Sequence, residues 1–258
     1  MSSSSLTIFP IPAFKDNYIW TFFDKNNHAW VVDPGDATPV IEVLEAKRLK
    51  LQGIFITHHH RDHMGGVSDL LKYNDRVMVV GSDKSPHDFI HQRVKEGDEV
   101  RCEFFSLKVL DIPGHTLDHV AYYNNEWLFC GDTLFSIGCG KIFEGTPLQM
   151  FSSLQKLSQL SDTIQVYCGH EYTVANLAFA QQVEPENAVL LEKAQRMQKI
   201  REKHLPSLPS RLSDEKQMNP FLRCEEASIK KAVEAHFNKK LDNAVEVFAY
   251  LREWKNYF

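Results

Sequence analysis

The sequence predicts an α/β fold of two β-sheets with helices packed outside them, followed by an all-helical C-terminal region. Three observations lead to this prediction. Strand and helix patterns alternate up to about residue 80, closely spaced strand patterns follow up to Cys130, and strand signals stop after Tyr172. A β-α-β-α order indicates a sheet with helices on its surface. We therefore expect an α/β domain of residues 1–172 and a helical domain of residues 173–258.

The first strands and helices follow from composition and spacing. Runs rich in β-branched and aromatic residues, ended by turns such as Asp33-Pro34-Gly35-Asp36, are typical of strands; the strands predicted in this part are 18–23, 29–33, 53–57 and 77–80. Apolar residues at helical spacing predict helices over 39–50 and from Val67 to Leu71.

The remaining elements fall into two groups. Residues 99–130 predict closely spaced strands at 104–107, 109–112, 120–123 and 127–130, and a helix at 147–160 with a strand at 164–168 completes the α/β part. The C-terminal helices are predicted at 174–183, 187–203, 229–237 and 242–254.

Composition excludes several classes of protein. The 258 residues are 43% hydrophobic and 24% charged, as is ordinary for a globular protein. A net charge of −5 gives no basic field for nucleic acid or an anionic membrane, and we expect neither partner. The start, Met1-Ser2-Ser3-Ser4-Ser5, lacks the features of a secretory signal. Five cysteines without CxxC spacing indicate reduced thiols, so we expect a cytoplasmic protein.

The most informative stretch follows the strand at 53–57. Residues 57–66 read Thr-His-His-His-Arg-Asp-His-Met-Gly-Gly. In an extended segment His58, His60 and Asp62 would project to one side, because side chains alternate with a period of two, and His63 could reach a second point. Four donors within six residues suit two adjacent metal ions. Imidazole and carboxylate ligands without thiolate suit zinc, iron or manganese and are typical of catalytic sites.

Further donors stand at the ends of later strands. His115 follows a Pro-Gly turn, and Asp132 and His170 each follow a strand that ends in glycine, with Gly131 allowing close backbone approach. Each of these residues alone is more often an ordinary turn residue, and the His-rich loop alone could be an incidental metal-binding tract. Together they favour a metal site.

The pattern T-H-x-H-x-D-H, followed by His, Asp and His at strand ends, resembles the ligand pattern of the metallo-β-lactamase superfamily. Within it the chain resembles the glyoxalase II family, the hydroxyacylglutathione hydrolases. The resemblance runs almost end to end and is carried by residues 16–20, 32–36, 57–66, 113–116, 131–135, 138–141, 143–146 and 168–173. It implies a metallo-β-lactamase-like αββα sandwich with a C-terminal all-helical domain.

The resemblance implies a role for each donor. Two divalent metal ions per chain are expected, with zinc favoured and iron or manganese also suited. One ion would be held by His58, His60 and His115, the other by Asp62, His63 and His170, and both by Asp132. Asp33 and His119 would support the ligands by contact, although Asp33 could equally be a simple turn residue.

The implied reaction is hydrolysis of S-(2-hydroxyacyl)glutathione thioesters, S-D-lactoylglutathione giving D-lactate and glutathione, as the second step of methylglyoxal detoxification. A metal-bridging hydroxide would attack the thioester, with Asp62 and Asp132 as catalytic carboxylates. Cys139 would line the site wall, because no covalent nucleophile is required. A monomer is expected, with the small glutathione thioester as its partner.

Glutathione carries carboxylates, which call for cations. The resemblance implies that Lys141, Phe143, Tyr172, Arg252 and Lys255 bind it, and Arg252 and Lys255 share a face of a predicted helix. The alternative is an ordinary solvated C-terminal helix. The chain departs from the family pattern at two positions. Phe143 stands where several members have tyrosine, and Asp118 replaces the usual glycine.

Three other functions compete with this interpretation. The nearest is a persulfide dioxygenase-like iron oxidoreductase built on the same core, which would use one iron and lack the helical tail. A metal-dependent nuclease would need a basic stripe for the phosphate backbone, and the chain has none. A non-catalytic metal-binding protein is the weakest alternative, since all seven ligand positions are filled.

Overall fold

The computed structural model describes residues 6–258, and the prediction of no secretory signal at residues 1–5 lies outside them. The chain divides into two compact units. The first holds the residues up to Asp111 together with 118–124 and 128–131. The second holds 112–117, 125–127 and 132–258.

The first unit opens with a mixed six-stranded sheet. Its strands are, in chain and spatial order, β1 (Thr7–Ala13), β2 (Asn17–Phe23), β3 (His28–Val32), β4 (Lys50–Phe55), β5 (Met78–Ser82) and β6 (Gln92–Val94). β1, β2 and β3 are antiparallel, whereas β3 to β6 run parallel. A parallel connection needs a crossover, and this requirement explains the helices in this part of the chain.

Three helices connect the parallel strands: α1 (Ala37–Lys47), α2 (Arg61–Met64) and α3 (Val67–Tyr73). Asp36 caps α1 by accepting a hydrogen bond from the Thr38 N–H. Val40 and Leu44 of α1 and Leu70 of α3 are buried in one apolar cluster with strand residues of the sheet. The helices therefore cover one face of the sheet, as the alternating pattern predicted.

A second set of strands packs on the other face through aromatic rings. It comprises β7 (Glu99–Arg101), β8 (Ser106–Asp111), β9 (Val120–Tyr123) and β10 (Trp127–Gly131), paired antiparallel. Phe22 stacks on Phe129 with ring centroids 5.6 Å apart, and Phe55 lies 4.8 Å from Tyr122. The Tyr122 hydroxyl donates to the Ile56 carbonyl at 2.8 Å, so this buried hydroxyl is satisfied.

The second unit is mainly helical. Its strands are β11 (Leu134–Phe135), β12 (Gly138–Cys139), β13 (Gln165–Cys168) and β14 (Ser210–Arg211). Its helices are α4 (Pro147–Ser158), α5 (Thr173–Val183), α6 (Ala188–Glu202), α7 (Leu212–Met218), a 3₁₀ turn (Pro220–Leu222), α8 (Ala227–Phe237) and α9 (Ala244–Tyr257). Thr146 and Gln149 cap α4 reciprocally. Leu177, Leu190 and Met218 share a buried core with Ile137.

Most predicted elements are present, and the differences have physical reasons. The strands predicted at 104–107 and 109–112 are one strand, β8, because no turn residue divides them. β1 was not predicted because it contains Pro10 and Pro12, which are tolerated on an edge strand such as this one. The seven-residue helix α7 was also missed. Within residues 6–258, the helices are too short or too polar to span a bilayer.

Candidate active site

Asp33 connects the end of β3 to the His loop. Its backbone lies in the left-handed region, with φ 53°, which Asp tolerates better than most residues. One carboxylate oxygen accepts from the Thr57 N–H at 2.7 Å, and the other accepts from the Thr57 hydroxyl at 2.6 Å. The second oxygen also lies 3.0 Å from Nδ1 of His63. One buried carboxylate thus orients both the start of the loop and an imidazole within it.

The imidazoles of the loop lie against one another. Nε2 of His58 is 3.1 Å from Nδ1 of His60, and the His58 and His63 ring centroids are 4.2 Å apart. Asp33, His58 and His63 each offer a donor atom within 4.8 Å of the other two. His58 and His63 are almost fully buried. Buried nitrogen and oxygen donors at this spacing are suited to a metal ion.

Asp62 lies on a helical turn, not in an extended segment. The interpretation of residues 58–62 as extended was therefore wrong at Asp62, because α2 begins at Arg61. Asn17 donates to the Asp62 side chain at 3.0 Å and to its carbonyl at 3.3 Å. Gly35 permits this arrangement, since a Cβ there would lie 1.9 Å from the Asp62 carbonyl oxygen. Sequence reasoning assigned Asn17 no role, although it stands in a block that carries the resemblance.

Asp118 and His119 contact residues of the His loop. Nδ1 of His59 lies 2.8 Å from a carboxylate oxygen of Asp118. The His119 ring stacks on His58 with centroids 4.5 Å apart and planes 10° apart. Gly131, with φ 46°, gives room for His119, because a Cβ at residue 131 would lie 2.8 Å from the His119 ring. His119 therefore packs against the His58 ring, and Asp118 holds the ring of His59.

The second unit contains a second group of donors. Nε2 of His115 lies 3.5 Å, and Nε2 of His170 3.2 Å, from the same carboxylate oxygen of Asp132. All three residues are buried. Nδ1 of His115 donates to the Lys141 carbonyl at 2.7 Å. A neutral His115 protonated at Nδ1 points the lone pair of Nε2 at Asp132.

Aromatic rings flank this second group. The Tyr172 ring stacks on His170, with centroids 4.7 Å apart and planes 6° apart. The Phe143 ring meets His115 edge to face at 5.2 Å and is 60% exposed. The ammonium of Lys141 lies 5.4 Å from the centre of the Phe143 ring. Lys141, Phe143 and Tyr172, predicted as substrate-binding residues, therefore lie at or beside the predicted ligands of this unit.

Arg252 is buried and engaged with the backbone. Its Nη1 donates to the Cys139 carbonyl at 2.7 Å, and Nη2 lies 3.4 Å from the Asn256 side-chain oxygen. The guanidinium also lies 5.2 Å from the centre of the Phe221 ring. Arg252 is thus held in one position by the protein, with part of its planar donor set already in use.

Lys255 follows Arg252 by three residues on α9. Its ammonium donates to the Ala175 carbonyl at 3.2 Å and lies over the rings of Phe179 and Phe258. Burial, with a smaller contribution from Arg252, lowers the pKa of Lys255 to about 8. The charge of this lysine therefore depends on pH in the neutral to alkaline range.

Cys139 is a poor candidate for a covalent nucleophile. The residue is buried, and burial raises the pKa of its thiol to about 11, although the nearby Arg252 charge opposes this shift. A thiol is nucleophilic only as the thiolate. The structure is thus consistent with Cys139 as a wall residue beside Arg252.

Two known families match successive parts of the chain. Residues 19–170 match the family described as the metallo-beta-lactamase superfamily, and residues 171–258 match the family described as the hydroxyacylglutathione hydrolase C-terminus. Because the two matches together span residues 19–258, they confirm the predicted α/β fold with a C-terminal helical region.

Curated relatives share about half of their residues with this chain. The hydroxyacylglutathione hydrolase of Photobacterium profundum is 51% identical over 254 residues, which cover 98% of this chain and 100% of that protein. The protein of the same name from Aeromonas hydrophila is 49% identical, with coverage of 97% and 99%. These alignments include both the predicted metal ligands and the helical tail.

Solved structures show a similar fold at lower identity. ETHE1 from Myxococcus xanthus has a TM-score of 0.65 and 23% identity, covering 97% of this chain and 98% of its own. TTHA1623, solved in a di-iron-bound form, has a TM-score of 0.53 and 25% identity, covering 63% of this chain and 91% of its own.

Proposed function

Because the chain belongs to the hydroxyacylglutathione hydrolases of the metallo-β-lactamase superfamily, we propose that it hydrolyses S-(2-hydroxyacyl)glutathione thioesters. S-D-lactoylglutathione would give D-lactate and glutathione, the second step of methylglyoxal detoxification. The observation that carries this proposal is 51% identity over 98% of the chain to a protein named for the activity. The iron oxidoreductase alternative is not favoured, because the helical tail matches the hydrolase C-terminus.

The donor set fits divalent metal ions. His115 and His170 both direct Nε2 at one oxygen of Asp132, and because Nδ1 of His115 donates to the Lys141 carbonyl, the neutral form of this ring would have its lone pair on Nε2. In that form a divalent ion would suit both the nitrogen lone pair and the carboxylate oxygen, since imidazole and carboxylate bind metals in their deprotonated states. In the His loop, the buried rings of His58 and His63 also bring donor atoms within 4.8 Å of each other.

We assign the ligands as family membership implies. The two sets, with Asp132 common to both, are His58, His60 and His115 for one ion and Asp62, His63 and His170 for the other. The di-iron form of TTHA1623 supports a count of two. Zinc is the proposed occupant, and iron or manganese also suits these donors. When bound, the ions supply the Lewis acidity that makes a water nucleophilic at neutral pH and polarises the thioester carbonyl.

The side chains around the ligands have separate tasks. Asn17 holds the Asp62 carboxylate, which we propose orients the attacking water. Asp33 and the ring of His119 keep the imidazoles of the His loop in position. The leaving thiolate is stable at neutral pH, so the reaction needs no strong general acid. The protonated thiol of Cys139 takes no covalent part.

The cations of the second unit would bind glutathione. We propose that Lys141, Tyr172, Arg252 and Lys255 recognise its glycine carboxylate, with Arg252 held ready by the Cys139 carbonyl. The exposed ring of Phe143 would contact the substrate without the hydroxyl that a tyrosine offers. We propose a functional division at residue 172 between a metal-binding part and a substrate-binding part. The two family matches support this division, because one ends at residue 170 and the other begins at residue 171.

The cellular setting follows from charge and cysteine chemistry. We propose a cytoplasmic monomer that binds neither nucleic acid nor membrane, in line with its net charge of −5. All five cysteines are free thiols, as a reducing compartment maintains them.

The test is hydrolysis of S-D-lactoylglutathione by the purified protein, followed as loss of thioester absorbance with and without prior chelation. We expect turnover that chelation abolishes. Asp132→Ala should lose metal and activity together, whereas Asp214→Ala, which removes an exposed carboxylate of the same unit, should retain both. A protein that contains two metal ions but does not turn over this thioester would refute the substrate and leave the fold unaffected.

A further inference from the structure

A strained turn precedes the proposed substrate-binding residues. β11 and β12 pair across residues 136 and 137, and Ile137 has φ 57°. This left-handed conformation is unfavourable for a β-branched residue. Such a conformation persists only where the surroundings fix it, and strained residues of this kind cluster at functional sites. Other parts of the protein must therefore hold this turn.

Three buried polar side chains bind its backbone. Glu215 accepts a hydrogen bond from the Ile137 N–H at 2.7 Å. Asn219 donates to the carbonyls of Phe135 and Gly138, at 3.2 Å and 2.9 Å. The third contact is from Asn176, which donates to the Ser136 carbonyl at 3.0 Å. Glu215 and Asn219 are fully buried, and Asn176 is 5% exposed.

Glu215 and Asn219 also hold each other. Glu215 lies on α7 and Asn219 directly follows its last residue, and Nδ2 of Asn219 donates to Glu215 at 3.2 Å. Burial raises the pKa of Glu215, although the hydrogen bond from Ile137 opposes this shift. Buried polar groups that bind backbone at several points fix one conformation, because each unmade hydrogen bond would be costly.

The turn leads directly to the groups that hold Arg252 and His115. One residue after it, the Cys139 carbonyl accepts from Arg252 at 2.7 Å. Two residues further on, the Lys141 carbonyl accepts from His115 at 2.7 Å. Between them the Gly140 N–H donates to the Thr133 carbonyl at 3.2 Å. A shift of the turn would therefore displace these contacts.

We propose that Glu215 and Asn219 are positioning residues for the substrate site, which hold the strained 135–138 turn so that Arg252 and Lys141 are correctly placed to bind the glutathione carboxylate. This inference rests on the proposed function of Arg252 and Lys141. It assigns a specific task to the short helix α7, which lies far from these residues in sequence.

The first test compares kinetic constants of holoenzyme variants. Glu215→Ala and Asn219→Asp should raise KM for S-D-lactoylglutathione about tenfold, as loss of a buried hydrogen bond implies. The kcat and the metal content should each fall by no more than about twofold, because His115 is only one of the proposed ligands. Glu215→Gln keeps the accepting oxygen and should stay within about twofold of the native KM. The inference fails if KM is unchanged in both disruptive variants.

A matched control separates positioning from general destabilisation. Glu184 is a buried carboxylate of the same unit that binds Ser228 and Arg223 and does not contact the turn. Glu184→Ala should lower the unfolding temperature and leave KM unchanged. An equal rise of KM in Glu184→Ala and Glu215→Ala would overturn the inference. If Glu215→Ala does not fold, Asn176→Ala gives the same readout through its one hydrogen bond to the turn.

A second measurement does not depend on the substrate. Hydrogen exchange of the Ile137 amide should be slow in the native protein and at least about tenfold faster in Glu215→Ala, with no change in Glu184→Ala. If the native protein does not hydrolyse the thioester, the proposed function fails while the exchange rates still decide whether Glu215 holds the turn. Unchanged protection in Glu215→Ala would overturn the inference in either case.

Discussion

Nδ1 of His59 lies 2.8 Å from a carboxylate oxygen of Asp118, 59 residues along the chain. This pair gives a structural role to Asp118, which we predicted from the sequence to be a departure from the family pattern. His59 stands between His58 and His60, so a partner that fixes its ring also restrains the backbone of the predicted ligand loop. The Asp118 side chain is only 8% exposed, so the pair is little screened by solvent.

We expect the two residues to be energetically coupled. A double-mutant cycle with His59→Ala and Asp118→Asn should show about 1–2 kcal/mol of coupling in the free energy of unfolding, as contacting partners in one hydrogen bond do. Each kcal/mol corresponds to about 2–4 °C in unfolding temperature for a protein of this size. Additive effects of the two substitutions would show that the pair is incidental.

Asp33→Asn should weaken metal binding. The variant keeps the size of the side chain but removes the charge that faces Nδ1 of His63. Loss of such a supporting carboxylate typically costs about 10–100-fold in metal affinity or activity, which competition with a chelator would measure. The control is Asp24→Asn, since Asp24 is an equally buried carboxylate that caps a turn in the same unit. Equal losses in both variants would contradict the role of Asp33.

Removal of both helix cations should raise KM far more than it lowers kcat. In Arg252→Ala/Lys255→Ala the substrate carboxylate loses two charged partners, and we expect about a 10–100-fold rise in KM, as for loss of one or two charge-assisted hydrogen bonds. Steady-state kinetics would separate the two constants. The matched control is Lys199→Ala/Lys203→Ala, which removes two exposed lysines in and directly after α6. An unchanged KM in the Arg252→Ala/Lys255→Ala variant would refute the assignment.

Substrate binding should depend on pH through Lys255. Burial lowers the pKa of this lysine to about 8, so it is charged below that pH and loses its proton above it. If the ammonium binds a carboxylate, KM should be nearly constant below pH 7 and rise between about pH 8 and 10, while kcat changes less. Lys255→Met should have a high KM without this pH dependence. A flat profile in the native protein would contradict the role of Lys255.

The same shift has a consequence for stability. The folded-state pKa lies below the ordinary value of 10.5, so the partly buried ammonium destabilises the folded protein. That unfavourable contribution is fully present below about pH 8 and is lost as pH rises towards 10.5. Lys255→Met should therefore raise the unfolding temperature at pH 7 more than at pH 10.5. Equal shifts at both pH values would show that burial of the charge is not the cause.

The predicted metal donors could be identified from sequence because their signals are local. His58, His60 and His63 stand in one loop, and Asp132 and His170 each follow a strand and a glycine. The helical turn at Asp62 could not be predicted, because four residues are too few to show a helical period.

Partners brought together by folding gave no local signal. Asn17 reaches Asp62 across 45 residues, and Glu215 reaches Ile137 across 78. Neither pair shows a spacing or composition that one sequence can reveal. The burial of Arg252 could not be predicted from the sequence either, because a cation on an amphipathic helix usually lies in solvent.

The two prolines of β1 also bear on the solubility of the protein. β1 is the last strand on its side of the sheet, and an edge strand can recruit strands of other chains. Pro10 and Pro12 stand two residues apart, so their backbone nitrogens face the same side of the strand. Neither nitrogen has an N–H to donate. The outward side of this otherwise apolar strand is therefore a poor template for an intermolecular β-sheet. The two prolines that prevented prediction of the strand from the sequence thus also protect the protein against aggregation.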